Sequence, residues 1–111
     1  MKYALLLYDD PAAWEGMDES HPDWRTLYDE YAAVDAYGGA ELDGSAGVKV
    51  VRLQDGRPLV TDGPFAETKE VLSGLYLIEA SSEEEAVAVA QTIPTVSRMG
   101  GAIEVRRVME R

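Results

Sequence analysis

Thr61-Asp62-Gly63-Pro64-Phe65-Ala66-Glu67-Thr68-Lys69-Glu70 is the segment whose residue order serves more than a helix or a strand. Asp62-Gly63-Pro64 predicts a chain reversal. Gly tolerates positive φ, Pro fixes its own φ, and an Asp carboxylate accepts from backbone N–H groups just beyond it. Phe65, the single Phe of the chain, follows directly and could plug the turn onto a core. Two readings of Asp62 compete. It caps the turn, or it lines the mouth of a pocket with Lys69, since loops on rigid scaffolds often carry function.

Working outward, residues 48–53 and 57–61 flank Gln54-Asp55-Gly56 and read as a β-hairpin with an Asp-Gly turn. Ahead of it, residues 40–43 form a short strand and residues 44–47 a flexible turn. On the far side, residues 72–80 make a strongly apolar strand, with Tyr76, Ile78 and Ala80 on one face and Leu75, Leu77 and Glu79 on the other. Residues 2–8 behave alike, Tyr3, Leu5 and Leu7 facing one way and Ala4, Leu6 and Tyr8 the other. A strand apolar on both faces belongs in the middle of a covered sheet.

Two helices complete the order. Ser20 with Asp23 offers a near capping box, and Trp24, Leu27, Tyr28, Tyr31 and Val34 recur at helical spacing before Gly38-Gly39 stops the run. That aromatic stripe reads as core. Ser82 with Glu85 is a capping box, Glu83 to Glu85 favour the positive end of the helix dipole, and Ala86, Val87, Ala90 and Ile93 form the buried stripe before Pro94. Residues 102–108 alternate as a half-buried strand. The sum is one domain, residues 1–111: β-α-β, an inserted hairpin, β-α-β. This is an α+β, ferredoxin-like βαββαβ arrangement with both helices on one sheet face. The other face then needs a partner, and a two-fold homodimer packing sheet on sheet supplies it.

The run from Asp62 to Glu70, with Gly74-Leu75-Tyr76-Leu77-Ile78 after it, resembles the signature of the DGPF branch of the YCII-related family. Residues 1–8, 90–94 and 103–106 fit the same branch, so the likeness spans nearly the whole chain. The resemblance implies a dimeric α+β barrel. Some family members resemble domains attached to sigma factors, which implies a link to transcription initiation. The wider family carries a His near the start of its first helix and an Asp just before a Pro after its second, a pair that suggests an enzymatic site. Here Ile93 stands before Pro94 and cannot transfer a proton, and His21 falls earlier than the family His. That pair is broken.

Charge and composition narrow the chemistry. With 21 acidic against 10 basic residues, the formal charge is −11, which repels phosphate backbones and argues against direct nucleic-acid binding. No run reaches the length that spans a bilayer and the first residues do not read as a signal peptide, so a cytoplasmic location is expected. There is no Cys, and with one His no metal or cofactor set is spaced for binding. Candidate pocket residues are Asp62, Phe65, Lys69, Tyr76 and Tyr3, with His21 a secondary one. The balance falls toward a small-molecule- or protein-binding domain. The alternative is a cofactor-free enzyme of the dimeric α+β-barrel type using Asp62 and Tyr residues, and a sigma-factor accessory is the third reading.

Overall fold

The computed structural model describes residues 1–44, 47–65 and 68–111. Part of the turn expected at 44–47, and Ala66 and Glu67 of the central motif, lie outside the described residues. Among the described residues the elements follow in the order β1 (Lys2–Asp9), α1 (Trp24–Ala32), β2 (Gly38–Glu41), β3 (Lys49–Gln54), β4 (Arg57–Asp62), β5 (Val71–Glu79), α2 (Glu83–Thr92), α3 (Pro94–Ser97) and β6 (Ala102–Arg107), with a 3-10 turn at Pro11–Trp14. The main sheet is antiparallel in the order β2-β5-β1-β6, and β3 with β4 forms a separate hairpin. With the hairpin set aside, this is the ferredoxin-like α+β topology. The two strands that are apolar on both faces, β1 and β5, are the central pair.

One face of that sheet carries the core. Tyr3, Leu5 and Leu7 of β1 and Ile78 of β5 pack with Ala86, Ala90 and Ile93 of the α2 region, while Tyr31 and Val34 close the cluster from the α1 side. Burying a side chain such as Leu5 or Ile78 stabilises the fold by about 1.5–3 kcal/mol. The opposite face shows Ala4, Leu6, Leu75 and Leu77, only half-buried by their own neighbours. Helices α1 and α2 therefore sit on one side, as the strand patterns require.

Local signals are met with some changes. Ser82 Oγ accepts from the Glu85 N–H at 3.1 Å, so α2 is capped as expected, but the Glu85 carboxylate takes the Ser81 hydroxyl instead of closing the box. Val89, not Val87, packs on the core, and Pro94 both ends α2 and opens α3. Helix α1 begins later than its Ser20 signal, because the Ser20 N–H and hydroxyl both turn to Asp18. Its aromatic stripe is only partly core: Leu27 is buried, but Tyr28 is 56% exposed. Asp55 and Gly56 both adopt positive φ, the geometry of the expected Asp-Gly hairpin turn.

Candidate functional site

The central motif does not form one pocket among the described residues. Asp62 is the last residue of β4, its side chain exposed and paired with Lys49 across the hairpin. Lys69 pairs instead with Asp10, at 3.3 Å. Phe65 is 73% exposed and lies under the Arg52 guanidinium, 4.5 Å from the ring centroid, so it does not plug the core. Gly63 is needed for room rather than for positive φ: a Cβ there would fall 2.8 Å from Val48 and 2.9 Å from Val50. His21 Nδ1 accepts from the Asp23 N–H at 3.1 Å, which serves the start of α1. The concavity around His21, about 590 Å³, is lined by residues 19–28 alone and is the outer surface of one helix start.

Tyr3 and Tyr76 lie on the core face, and Tyr76 leads to a cluster that the sequence reading missed. Its hydroxyl donates to the Tyr31 carbonyl oxygen at 2.7 Å. The Tyr31 hydroxyl is 2.8 Å from Thr95 Oγ1, and Thr95 Oγ1 donates to Asp9 Oδ2 at 3.4 Å. A carboxylate only accepts, so the chain runs from Tyr31 O–H to Thr95 O–H to Asp9. Ser73 Oγ also donates to Asp9 Oδ2, and it stands 3.2 Å from the Leu7 carbonyl oxygen. Asp9 is 5% exposed and Thr95 is fully buried.

Each member arrives for a traceable reason. Between Leu7 and Tyr8 the β1–β5 register slips: Leu7 faces Gly74, Tyr8 faces Leu72, and Ser73 is the extra residue. That bulge turns Ser73 inward, as bulges re-aim side chains near functional sites. Asp9 ends β1 on the core-facing side of its two-residue alternation. Pro94 stops α2 and starts the short α3, which sets Thr95 against β1. Tyr31 sits one turn beyond the buried Leu27, with the Trp14 ring against it at 5.9 Å between centroids.

The remaining oxygen, Asp9 Oδ1, is buried and meets no hydrogen-bond donor among the described residues. Leaving a buried acceptor unpaired costs about 1–3 kcal/mol, more for a charged group. Beside it lies Gly101, where a Cβ would fall 3.2 Å from Oδ1, 2.9 Å from Thr95 Cγ2 and 2.4 Å from the Tyr8 carbonyl oxygen. Only Gly leaves that space open. Burial raises the Tyr31 hydroxyl well above its usual value near 10, and the Asp9 charge adds to the rise. Tyr76 is raised too, by burial first and then by Glu41. Both hydroxyls are therefore donors at any physiological pH. One turn of α1 away is a cleft of about 270 Å³ lined by Ala13, Met17, Asp23, Leu27, Arg98 and Met99.

The sequence reading did not single out Asp9, Ser73 or Thr95, because the contacts that join them span 64 and 86 positions. The one available signal was an Asp closing an otherwise apolar strand. Ile93, the residue before Pro94, is fully buried in the core. The buried carboxylate of this chain comes from β1 and meets Thr95, the residue after that Pro.

Among the described residues no three of His, Asp and Glu stand together as a metal-ligand set, and no helix is long and apolar enough to cross a membrane. The model of the YCII-related domain matches residues 1–111. An uncharacterized protein of Rhizobium meliloti (strain 1021) is 34% identical over 112 residues, covering 96% of this chain and 90% of that protein. With the ferredoxin-like sheet order and a match from the first residue to the last, the chain belongs to the YCII-related domain family.

Proposed function

We propose that this YCII-related domain is a homodimeric binding module for a small donor-bearing molecule, held at Asp9. The observation that carries this reading is Asp9 Oδ1, a buried carboxylate oxygen that meets no donor among the described residues, in a site otherwise satisfied. Folds tolerate such a cost mainly where it serves function. The surrounding hydroxyls hold the carboxylate in place, and Gly101, with no Cβ, keeps side-chain bulk away from the unpartnered oxygen. A formal charge of −11 draws cations toward the surface, so a primary amine suits the site better than an anion.

The dimer part of the proposal rests on the half-buried row Ala4, Leu6, Leu75 and Leu77, which neither helix covers. Sheet-on-sheet packing through that row would bury it and produce the barrel form that the family resemblance implies.

One observation favours a cofactor-free enzyme instead: a carboxylate at the end of a hydroxyl relay can accept a proton. Against it, Tyr31 and Tyr76 are pinned as donors, and no hydrogen bond joins His21 to the cluster among the described residues. A sigma-factor association would have to use protein contact, because the acidic surface disfavours nucleic acid.

Thermal unfolding tests the binding role. Wild type and Asp9→Asn are compared against a panel of small primary amines, amides and hydroxy compounds. A rise in the wild-type midpoint with an amine, lost in a folded Asp9→Asn variant, is the expected result. Equal shifts in both proteins would remove Asp9 from the site. Turnover of any panel compound by wild type, absent in Asp9→Asn, would favour the enzyme reading.

A further inference from the structure

The β3–β4 hairpin is built as if to pack, yet its own domain gives it nothing to pack on. Its two strands pair along their full length and join through a well-formed Asp55-Gly56 turn. Neither strand makes a substantial contact with any other strand or helix among the described residues. An isolated two-stranded hairpin is marginal in water.

Alternation sorts its side chains. Val51 pairs with Val60 and Leu53 with Pro58, so one face is a continuous apolar patch. Val51 is 66% exposed, Leu53 74% and Val60 59%. The other face is mixed: Val50 opposite Thr61, Arg52 opposite Leu59 with the Phe65 ring beneath the guanidinium, and Gln54 opposite Arg57.

The surface area says how much is left uncovered. The chain exposes 7871 Å², whereas a compact monomer of 12.1 kDa exposes about 6,000 Å². The surplus of about 1,900 Å² per chain exceeds the roughly 800 Å² per partner of a standard stable interface. The radius of gyration agrees, at 16.0 Å against about 13 Å for a compact chain of this length.

Charge names the partner surface. Residues 49–62 hold three basic and two acidic side chains, a net of +1. The rest of the chain holds the other seven basic and nineteen acidic ones, a net of −12. A mildly basic apolar arm therefore faces an acidic body, and another copy of this chain supplies that body. The arm leaves after β2 and returns into β5, at the β2–β5 edge of the sheet.

We propose that the β3–β4 hairpin is a dimerisation arm whose Val51, Leu53, Pro58 and Val60 face seats on the body of a second copy of the chain. This rests on the homodimer reading above and adds the element that reaches across. Light scattering after size-exclusion chromatography tests it on the full chain at micromolar concentration. Wild type is expected at twice the 12.1 kDa chain mass. Val51→Asp with Leu53→Asp is expected at the single-chain mass, its dimer weakened on the order of a hundredfold by losing two buried anchors. Because the arm lies outside the core, the far-UV dichroism of the variant should match wild type.

Hydrogen exchange of wild type gives a second reading that needs no variant. Amides of residues 49–62 should be protected when concentrated and lose protection on dilution. A double variant that stays dimeric with wild-type affinity would overturn the arm while leaving the sheet-face dimer standing. Concentration-independent exchange of those amides would do the same. A wild type of single-chain mass throughout would overturn both, and would hand the arm to another protein.

Discussion

Replacing Thr95 with Val removes one oxygen from the most enclosed part of the site and leaves nearly the same shape behind. The hydroxyl makes a good bond with Tyr31, at 2.8 Å, and a long one with Asp9, at 3.4 Å. Losing the first strands the Tyr31 hydroxyl, which is half-buried and can turn partly to water. Losing the second takes a donor from a carboxylate that already lacks one. With about 1–3 kcal/mol for each buried group left unpaired, the expected cost is about 2–3 kcal/mol. For a domain of this size that lowers the melting midpoint by about 8–12 °C. Urea unfolding followed by far-UV dichroism measures it, with an unchanged slope showing that the denatured state is unaffected. Ser97→Ala, on the exposed side of the same short helix, is the control. A cost for Thr95→Val within about 0.5 kcal/mol, the range of surface changes, would refute the view that Thr95 links the two buried groups.

Gly101→Ala should be among the most damaging single changes, because its Cβ would meet the Tyr8 carbonyl oxygen at 2.4 Å; a soluble variant that melts like wild type would contradict the close approach. Ser82→Ala removes the α2 cap and should cost about 0.5–2 kcal/mol in the same urea assay. Asp62→Asn should cost at most about 1 kcal/mol, since it breaks only an exposed pair with Lys49, and it should leave amine-induced shifts unchanged. The Tyr8 hydroxyl, followed by Arg106, holds the Glu104 carboxyl below its usual range. Its stabilising effect is therefore present above the unfolded-state value and lost as pH falls, and Tyr8→Phe should flatten that part of the stability profile.

Local, periodic signals were legible. The two-faced apolar pattern of residues 2–8 correctly placed β1 inside the sheet, and Ser82 and Asp55-Gly56 marked a cap and a turn. The site was not legible, because its parts are long-range and its organiser is irregular. Ser73 reaches Asp9 only through a register slip, and Thr95 through a helix corner, neither of which leaves a periodic trace. Phe65 misled for a related reason. A large aromatic after a turn normally finds a core, but here the hairpin carries it outward. The YCII-related match spans the whole chain, and the motif at 61–70 lies within it without marking the most buried chemistry of the chain.

The most direct test of the central claim is a titration of protein with carbon-13-labelled Asp side chains, using the amine that most raises the melting midpoint. The Asp9 carboxyl resonance should move with the amine and saturate with it, and amides of Thr95, Ser73 and Gly101 should shift along the same curve. The exposed Asp62 carboxyl should stay in place. A titration in which the amine shifts other residues while Asp9 and Thr95 remain still would contradict a ligand at the buried carboxylate.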